Sequence, residues 1–266
     1  MNETLTRTLS GAVYIAILVT CSLFSPSFLV LFGIFLLIAV VEYCRLSKLS
    51  AGWPIVLSSG LYLGFSLLPI SVTVQWSVLL LTLFISVRLF IWLFSLQPGM
   101  VDTQAKYVNL IGYVILPMVI ISWIPYITGD FQPLQLLCIF VLIWANDTFA
   151  FLFGKGFGKR KLFERVSPKK TVEGFIGGWL MALVFSVMVA LYLAQEPVFK
   201  WMVIATIVSF FGTIGDLIES KFKRSAGVKD SGNIMPGHGG ILDRLDSIIF
   251  VAPFVFLFYQ ILPYVS

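Results

Sequence analysis

The chain has 266 residues, 59% hydrophobic and 12% charged, with a mean hydropathy of +0.98 and a formal net charge of +5. A soluble domain carries about 25% charged residues, and no soluble fold of this size could hide so much apolar surface, so lipid is the solvent for most of the chain. Three cysteines, Cys21, Cys44 and Cys138, lie at odd spacings in or beside apolar runs; they suit neither a disulfide framework nor a zinc site and read as small core residues.

About 20 apolar residues cross a bilayer as a helix, and nine such spans are predicted, at roughly 9–25, 28–44, 53–72, 75–95, 107–127, 134–153, 172–194, 199–218 and 247–264. The expected fold is therefore an all-α integral membrane protein, a single polytopic unit over 1–266. Its N-terminal spans run over about 9–127, and its C-terminal half, about 134–264, carries the chemistry. The first two spans are joined by Ser25-Pro26-Ser27 and read as a tight hairpin. The first apolar run leads straight into the second with no small-residue cleavage site, so no cleavable signal is expected. With nine spans, 16 of the 18 bases fall on the side that holds the N-terminus. By the positive-inside rule that side is cytoplasmic and the C-terminus lies outside.

Charges inside spans face a bundle interior or water. Glu42 and Arg88 read as structural, near span ends or paired, whereas Asp147, in WANDTFAF, lies too deep for that and is a functional candidate. Gly174, Gly177 and Gly178 permit close helix approach at the start of the seventh span. The 41 aromatic residues read as interface anchors and packing.

Two polar loops interrupt this pattern on the basic side. Residues 155–171, KGFGKRKLFERVSPKKT, hold seven bases and one acid. Such a loop can serve topology alone. Ser167-Pro168 also reads as a helix start, with Ser167 as cap, which would put Lys169 and Lys170 at a positive N-terminus suited to phosphate. The second loop is the denser one. Gly215 to Ser247 contains five of the thirteen acids, five bases and the single histidine, His238. Asp216 and Glu219 share a helical face, and so do Asp243 and Asp246 if a helix runs from about 241. Two helices would then present paired carboxylates across a gap, a donor set for a hard cation such as Mg²⁺, with a Gly-rich turn offering amides to phosphate. One histidine cannot build a zinc site, so His238 reads as a phosphate contact or a shaper of the turn.

The run from Ser220 to Asp246 resembles the signature of the phosphatidate cytidylyltransferases, also called CDP-diacylglycerol synthases. The matching positions are Ser220, Lys223-Arg224, Lys229-Asp230, Pro236, His238-Gly239-Gly240 and Asp243-Arg244-Leu245-Asp246. WANDTFAF, KGFGKRK and SPKKTVEGFIGG resemble the same family, and Met235 stands where the family pattern has Leu, Ile or Phe. The resemblance implies an integral membrane enzyme that joins CTP to phosphatidate, giving CDP-diacylglycerol and pyrophosphate, with Mg²⁺ and room for a second, monovalent cation. It implies Asp216, Asp243 and Asp246 as metal ligands, and Asp216, Asp243, Lys223, Lys229 and His238 as catalytic residues. Ser167, Lys169, Lys170, Ser220, Arg224, Asp230, Gly239, Gly240, Arg244 and Asp147 would bind substrate. CTP, phosphatidate and the bilayer are the partners implied, in a bacterial inner membrane and without nucleic acid; a homodimer through the spans is an open expectation. An anion transporter and a CTP-dependent enzyme for a different lipid phosphate are the competing readings.

Overall fold

The computed structural model describes residues 3–96, 102–235, 237 and 239–262, with side chains from residue 8 onward. Its helices are α1 (Glu3–Ser22), α2 (Ser25–Ser47), α3 (Gly52–Leu67), α4 (Val72–Phe94), α5 (Thr103–Asn109), α6 (Leu116–Trp123), α7 (Pro133–Phe157), α8 (Val172–Met188), α9 (Val198–Ser225) and α10 (Leu242–Ile261). A π-helical turn, Leu110–Ile115, joins α5 and α6 into one span, and a second, Val189–Ala194, extends α8. Nine helical segments thus follow one another where nine spans are predicted. Seven of them are long and apolar enough to cross a membrane. The chain is a multi-pass, essentially all-α membrane protein.

Among the described residues the other two apolar stretches are shorter, Thr8–Ser22 within α1 and Gly52–Leu67, which is α3. The 16 residues of α3 rise roughly 24 Å, less than the ~30 Å hydrocarbon core. Polar side chains fix the breaks between segments. Pro26 sits in the first turn of α2, directly after α1, and the Ser71 side chain accepts from Val74 N to cap α4. At the π turn, a Cβ on Gly112 would fall 2.8 Å from Ile85 Cβ, so the close approach of this span to α4 needs glycine.

The C-terminal half packs more tightly still. A Cβ on Gly174 would lie 2.6 Å from Ala150 O, and one on Gly178 would lie 2.7 Å from Asn146 O. The expected small-residue seam is therefore a backbone-to-backbone contact between α7 and α8, which holds Asn146 and Asp147 beside the start of α8. Cys44 and Cys138 are buried, in keeping with their reading as core residues.

One local expectation is overturned. Ser167-Pro168 does not start a helix: β2 (Ser167–Thr171) pairs antiparallel with β1 (Lys161–Phe163), and the helix begins after Thr171. A proline biases the residue before it toward extended backbone, which favours a strand at Ser167. The capping falls instead to Thr171, whose hydroxyl accepts from Gly174 N at 3.1 Å. Glu173, in the first turn of α8, accepts from the backbone N–H groups of Lys159 and Arg160 at 3.0 and 3.1 Å, folding the basic loop over the helix end. Lys169 and Lys170 thus stand on a strand.

Candidate active site

The site forms where the last turns of α9 meet the first turn of α10. Asp216 and Glu219 lie three residues apart on α9, and α10 opposes them with Asp246. One oxygen from each of these three carboxylates lies within 4.8 Å of the others. Glu219 is fully buried; its Oε2 is in contact with a lysine, and its Oε1 has no hydrogen-bond partner among the described residues. Its counter-charge is Lys223, one turn further along α9, which also donates to Asp243 Oδ1 at 2.6 Å. Asp216 pairs with Lys170 from β2 and accepts from Ser220 Oγ at 3.1 Å. Burial opposes the Lys170 charge, but the Asp216 carboxylate outweighs it and holds the ammonium above the usual lysine pKa.

Asp243 does different work from Asp246. Its Oδ2 accepts from Ser231 N and Ser231 Oγ, both at 2.8 Å, and from Gly240 N at 2.7 Å. With Lys223 on Oδ1, both oxygens are engaged in tying the Gly-rich turn to α10. Gly239 has φ +84°, and a Cβ there would lie 3.2 Å from Asp243 Cγ, so the turn depends on glycine at this point. Among the described residues the clustered carboxylates are Asp216, Glu219 and Asp246; the expected ligand set held Asp243 and lacked Glu219. The i, i+3 spacing of Asp216 and Glu219 was the signal that could have found it.

A second contribution comes from α2, far away in sequence. Glu42 is 1% exposed, and its carboxylate accepts from Ile241 N at 3.1 Å, Leu242 N at 2.7 Å and Ser231 Oγ at 3.2 Å. It caps α10 from the side, at the positive helix end, and shares Ser231 with Asp243. Sequence reading gave Glu42 a structural place, and nothing in the local pattern pointed to α10 as its partner.

These groups border a cavity of about 510 Å³, walled among others by Asp147, Lys155, Lys169, Lys170, Asp230 and Arg244. Asn146 Nδ2 donates to Asp147 Oδ1 at 3.3 Å. Several expected site residues do not line this cavity. Arg224 is exposed and donates to Val228 O at 3.0 Å, closing the turn after α9. Lys229 is exposed, Ser167 lies half-buried in β2, and the Gly240 N–H is spent on Asp243. Pro236 and His238 lie outside the described residues. Lys221, another base of the same stretch, turns away. Its ammonium donates to Trp92 O and, at 3.0 Å, to Ser95 O, and it lies 4.2 Å over the Trp92 ring. Arg165 adds a 2.7 Å bond to Ser95 O, so two cations cap the negative end of α4 and tether the β-hairpin to it.

The whole arrangement sits at the end of the bundle where most bases gather. It combines a dense carboxylate cluster, flanking lysines and an open cavity, which suits a cation and phosphate groups together. Comparison with known proteins points the same way. Over 118 residues the chain is 52% identical to a protein of Bacillus subtilis (strain 168) named phosphatidate cytidylyltransferase, a match covering 44% of each. Relatives of the same name from Staphylococcus aureus (strain COL) and Staphylococcus saprophyticus are 51% and 49% identical over 120 and 119 residues, 44% of this chain and 46% of theirs. The aligned stretch thus spans under half the length of these curated relatives. A family model reaches further: the one described as the cytidylyltransferase family matches residues 5–262, almost the entire chain, and the chain belongs to that family.

Proposed function

We propose that the chain is a phosphatidate cytidylyltransferase that works at the cytoplasmic face of a bacterial inner membrane. The observation that carries this reading is the meeting of Asp216, Glu219 and Asp246 within 4.8 Å, beside Lys170 and Lys223, at the basic end of a membrane bundle. The names of the relatives and the family support the reaction class. The positive-inside pattern supports the choice of face.

The residues present fit a hard divalent cation. Their donors are all carboxylate oxygens, and Glu219 keeps one buried oxygen, Oε1, without a hydrogen-bond partner among the described residues. Asp216, Glu219 and Asp246 would hold Mg²⁺, which when bound neutralises charge on the attacked phosphate and on the departing pyrophosphate. Asp243 would hold the signature turn in place rather than ligate.

The protein's own groups account for the remaining tasks. CTP and phosphatidate are both anions and repel each other, so cations must bring them together. Lys155, Lys169, Lys170 and Arg244 on the cavity wall would take the phosphates. A phosphatidate oxygen, already negatively charged, attacks the α-phosphorus of CTP in line. A new P–O bond forms, the bond from the α-phosphorus to the bridging oxygen breaks, and the electron pair leaves with pyrophosphate. No general base is needed. Positioning and charge stabilisation carry the rate, and Lys223, pinned between Glu219 and Asp243, keeps α9 and α10 in register for it.

The test is pyrophosphate release by detergent-purified protein supplied with CTP, phosphatidate and Mg²⁺, each omitted in turn. Release is expected only with all three. Release that survives omission of phosphatidate, or none from folded protein, would overturn the reading.

A further inference from the structure

A second, smaller cavity of about 210 Å³ lies on the other side of Asp246. It shares Asp147, Asp243, Arg244, Asp246 and Ser247 with the main cavity, so the two are lobes of one site. Its remaining wall is unlike that of the main lobe. In place of lysines it has Tyr14 and Ile15 of α1, and Phe140, Ile143 and Trp144 of α7. Ile15, which lines the lobe, is 42% exposed, so the rim that α1 gives the lobe opens toward the outside of the bundle. The lobe therefore runs from a charged floor to a lipid-facing rim.

Tyr14 is a side chain of this lobe whose hydroxyl is not explained by packing alone. It is 9% exposed, and its hydroxyl has no hydrogen-bond partner among the described residues. The charges its phenol senses are Arg244 and Asp246, at the junction of the two lobes. A buried hydroxyl without a partner is costly, and phenylalanine would serve packing equally well. The hydroxyl is accounted for if a ligand supplies its acceptor.

Size and chemistry indicate which ligand. Pockets that take a whole drug-sized ligand run to about 300–1,000 Å³, a range that includes the main lobe and excludes the small one. The small lobe suits part of a molecule whose other end is charged and whose tail is apolar.

We propose that the lobe between α1, α7 and α10 seats the glycerol and ester region of the phospholipid acceptor, with the Tyr14 hydroxyl donating to one of its oxygens, while the nucleotide occupies the lysine-walled lobe. This assignment rests on the cytidylyltransferase reading above. It makes Tyr14 a specificity residue for the lipid, supplied by the first helix of the chain.

The experiment compares full-length wild type and Tyr14→Phe in detergent micelles of stated dioleoyl-phosphatidate mole fraction, with pyrophosphate release measured against each substrate separately. Loss of one neutral hydrogen bond corresponds to a rise of about 3- to 10-fold in KM for phosphatidate, with KM for CTP unchanged. The melting temperature should hold, because the lost hydroxyl has no partner among the described residues. Ile15→Trp, which crowds the rim, should raise the same KM and spare that for CTP. Unchanged kinetics in Tyr14→Phe, or a rise confined to CTP, would overturn the assignment while leaving the reaction intact. An inactive wild type would instead overturn the cytidylyltransferase reading, and the assignment with it.

Discussion

Two networks of buried polar groups, one toward each end of the bundle, are built in different ways. At the end away from the cavity, Glu196 accepts from Gln135 Nε2 at 3.0 Å, Trp201 Nε1 at 2.9 Å and Lys200 Nζ at 2.8 Å, and Tyr259 donates to Gln135 Oε1 at 2.5 Å. This network staples α7, the link before α9, and α10, and each of those groups has its partner. At the basic end, Glu219 Oε1, Asn146 Oδ1 and the Tyr14 hydroxyl are buried with no hydrogen-bond partner among the described residues. Six carboxylates (Asp147, Asp216, Glu219, Asp230, Asp243 and Asp246) and five bases (Lys155, Lys169, Lys170, Lys223 and Arg244) gather there. A satisfied network serves the fold, whereas one that leaves buried polar atoms short of partners among dense charges fits the proposed binding of a cation and a ligand.

Substitutions at the two ends should therefore separate stability from turnover. The largest effect is expected for Asp246→Asn and Asp216→Asn: turnover falls by about 100- to 1,000-fold or more, as when one stabilising group is removed from a preorganised site. Asp246→Asn, which relieves a crowded set of carboxylates, should leave the melting temperature within the ~2–4 °C that about 1 kcal/mol makes in a chain of this size, whereas Asp216→Asn also strands Lys170 and should lower it further. Pyrophosphate release and thermal unfolding in detergent check both halves, and a variant that keeps near-normal turnover would dissolve the contrast between the ends. Asp243→Asn should lose turnover and stability together. Its amide would face the donors Ser231 N and Gly240 N, at a cost of about 3 kcal/mol, so unfolding at the wild-type temperature would refute the turn-holding role.

Glu42→Gln sharpens the same point from α2. It should destabilise the protein by about 2 kcal/mol, by setting an amide against two helix N–H groups, and should lower turnover as the turn loosens. Glu196→Gln at the far end should cost a similar amount, about 2 kcal/mol, yet leave KM and kcat where they were. A loss of turnover in Glu196→Gln at temperatures well below melting would show that the ends are coupled.

The smallest effect concerns pH. The folded state raises the Lys170 pKa, so the contribution of its ion pair is fully present below the ordinary lysine value of about 10.4 and is lost only as pH climbs through the higher folded value. Lys170→Gln should lower turnover at every pH, while the alkaline limb of the profile below about pH 10 keeps its wild-type shape. A limb that shifts in the variant would mean that Lys170 titrates within that range.

Much of this was legible along the chain, and the misses share a cause. The nine helical segments among the described residues could be read because each is a local run of apolar residues, and the glycine seam because Gly174, Gly177 and Gly178 mark one short stretch. The acidic pairs could be read because i, i+3 spacing fixes a shared helical face. Ser167-Pro168 misled because the same dipeptide suits a helix start and an extended strand, and pairing with β1 decided between them. Which carboxylates meet was not local either: Asp243 and Asp246 share a spacing and a helix, yet one is consumed by Ser231, Gly240 and Lys223 while the other faces Asp216 and Glu219.

By itself, then, the sequence determined that the chain lives in lipid, roughly where its apolar helices lie, and which end carries the charge, because hydropathy, helix length and loop charge are properties of short segments. Tertiary structure alone decided that Glu42 caps α10, that Lys221 and Arg165 cap α4, and that Tyr14 reaches the junction of the two lobes. Those contacts join residues 70 to 230 positions apart. They depend on how the helices pack against one another, and no single stretch of sequence encodes that.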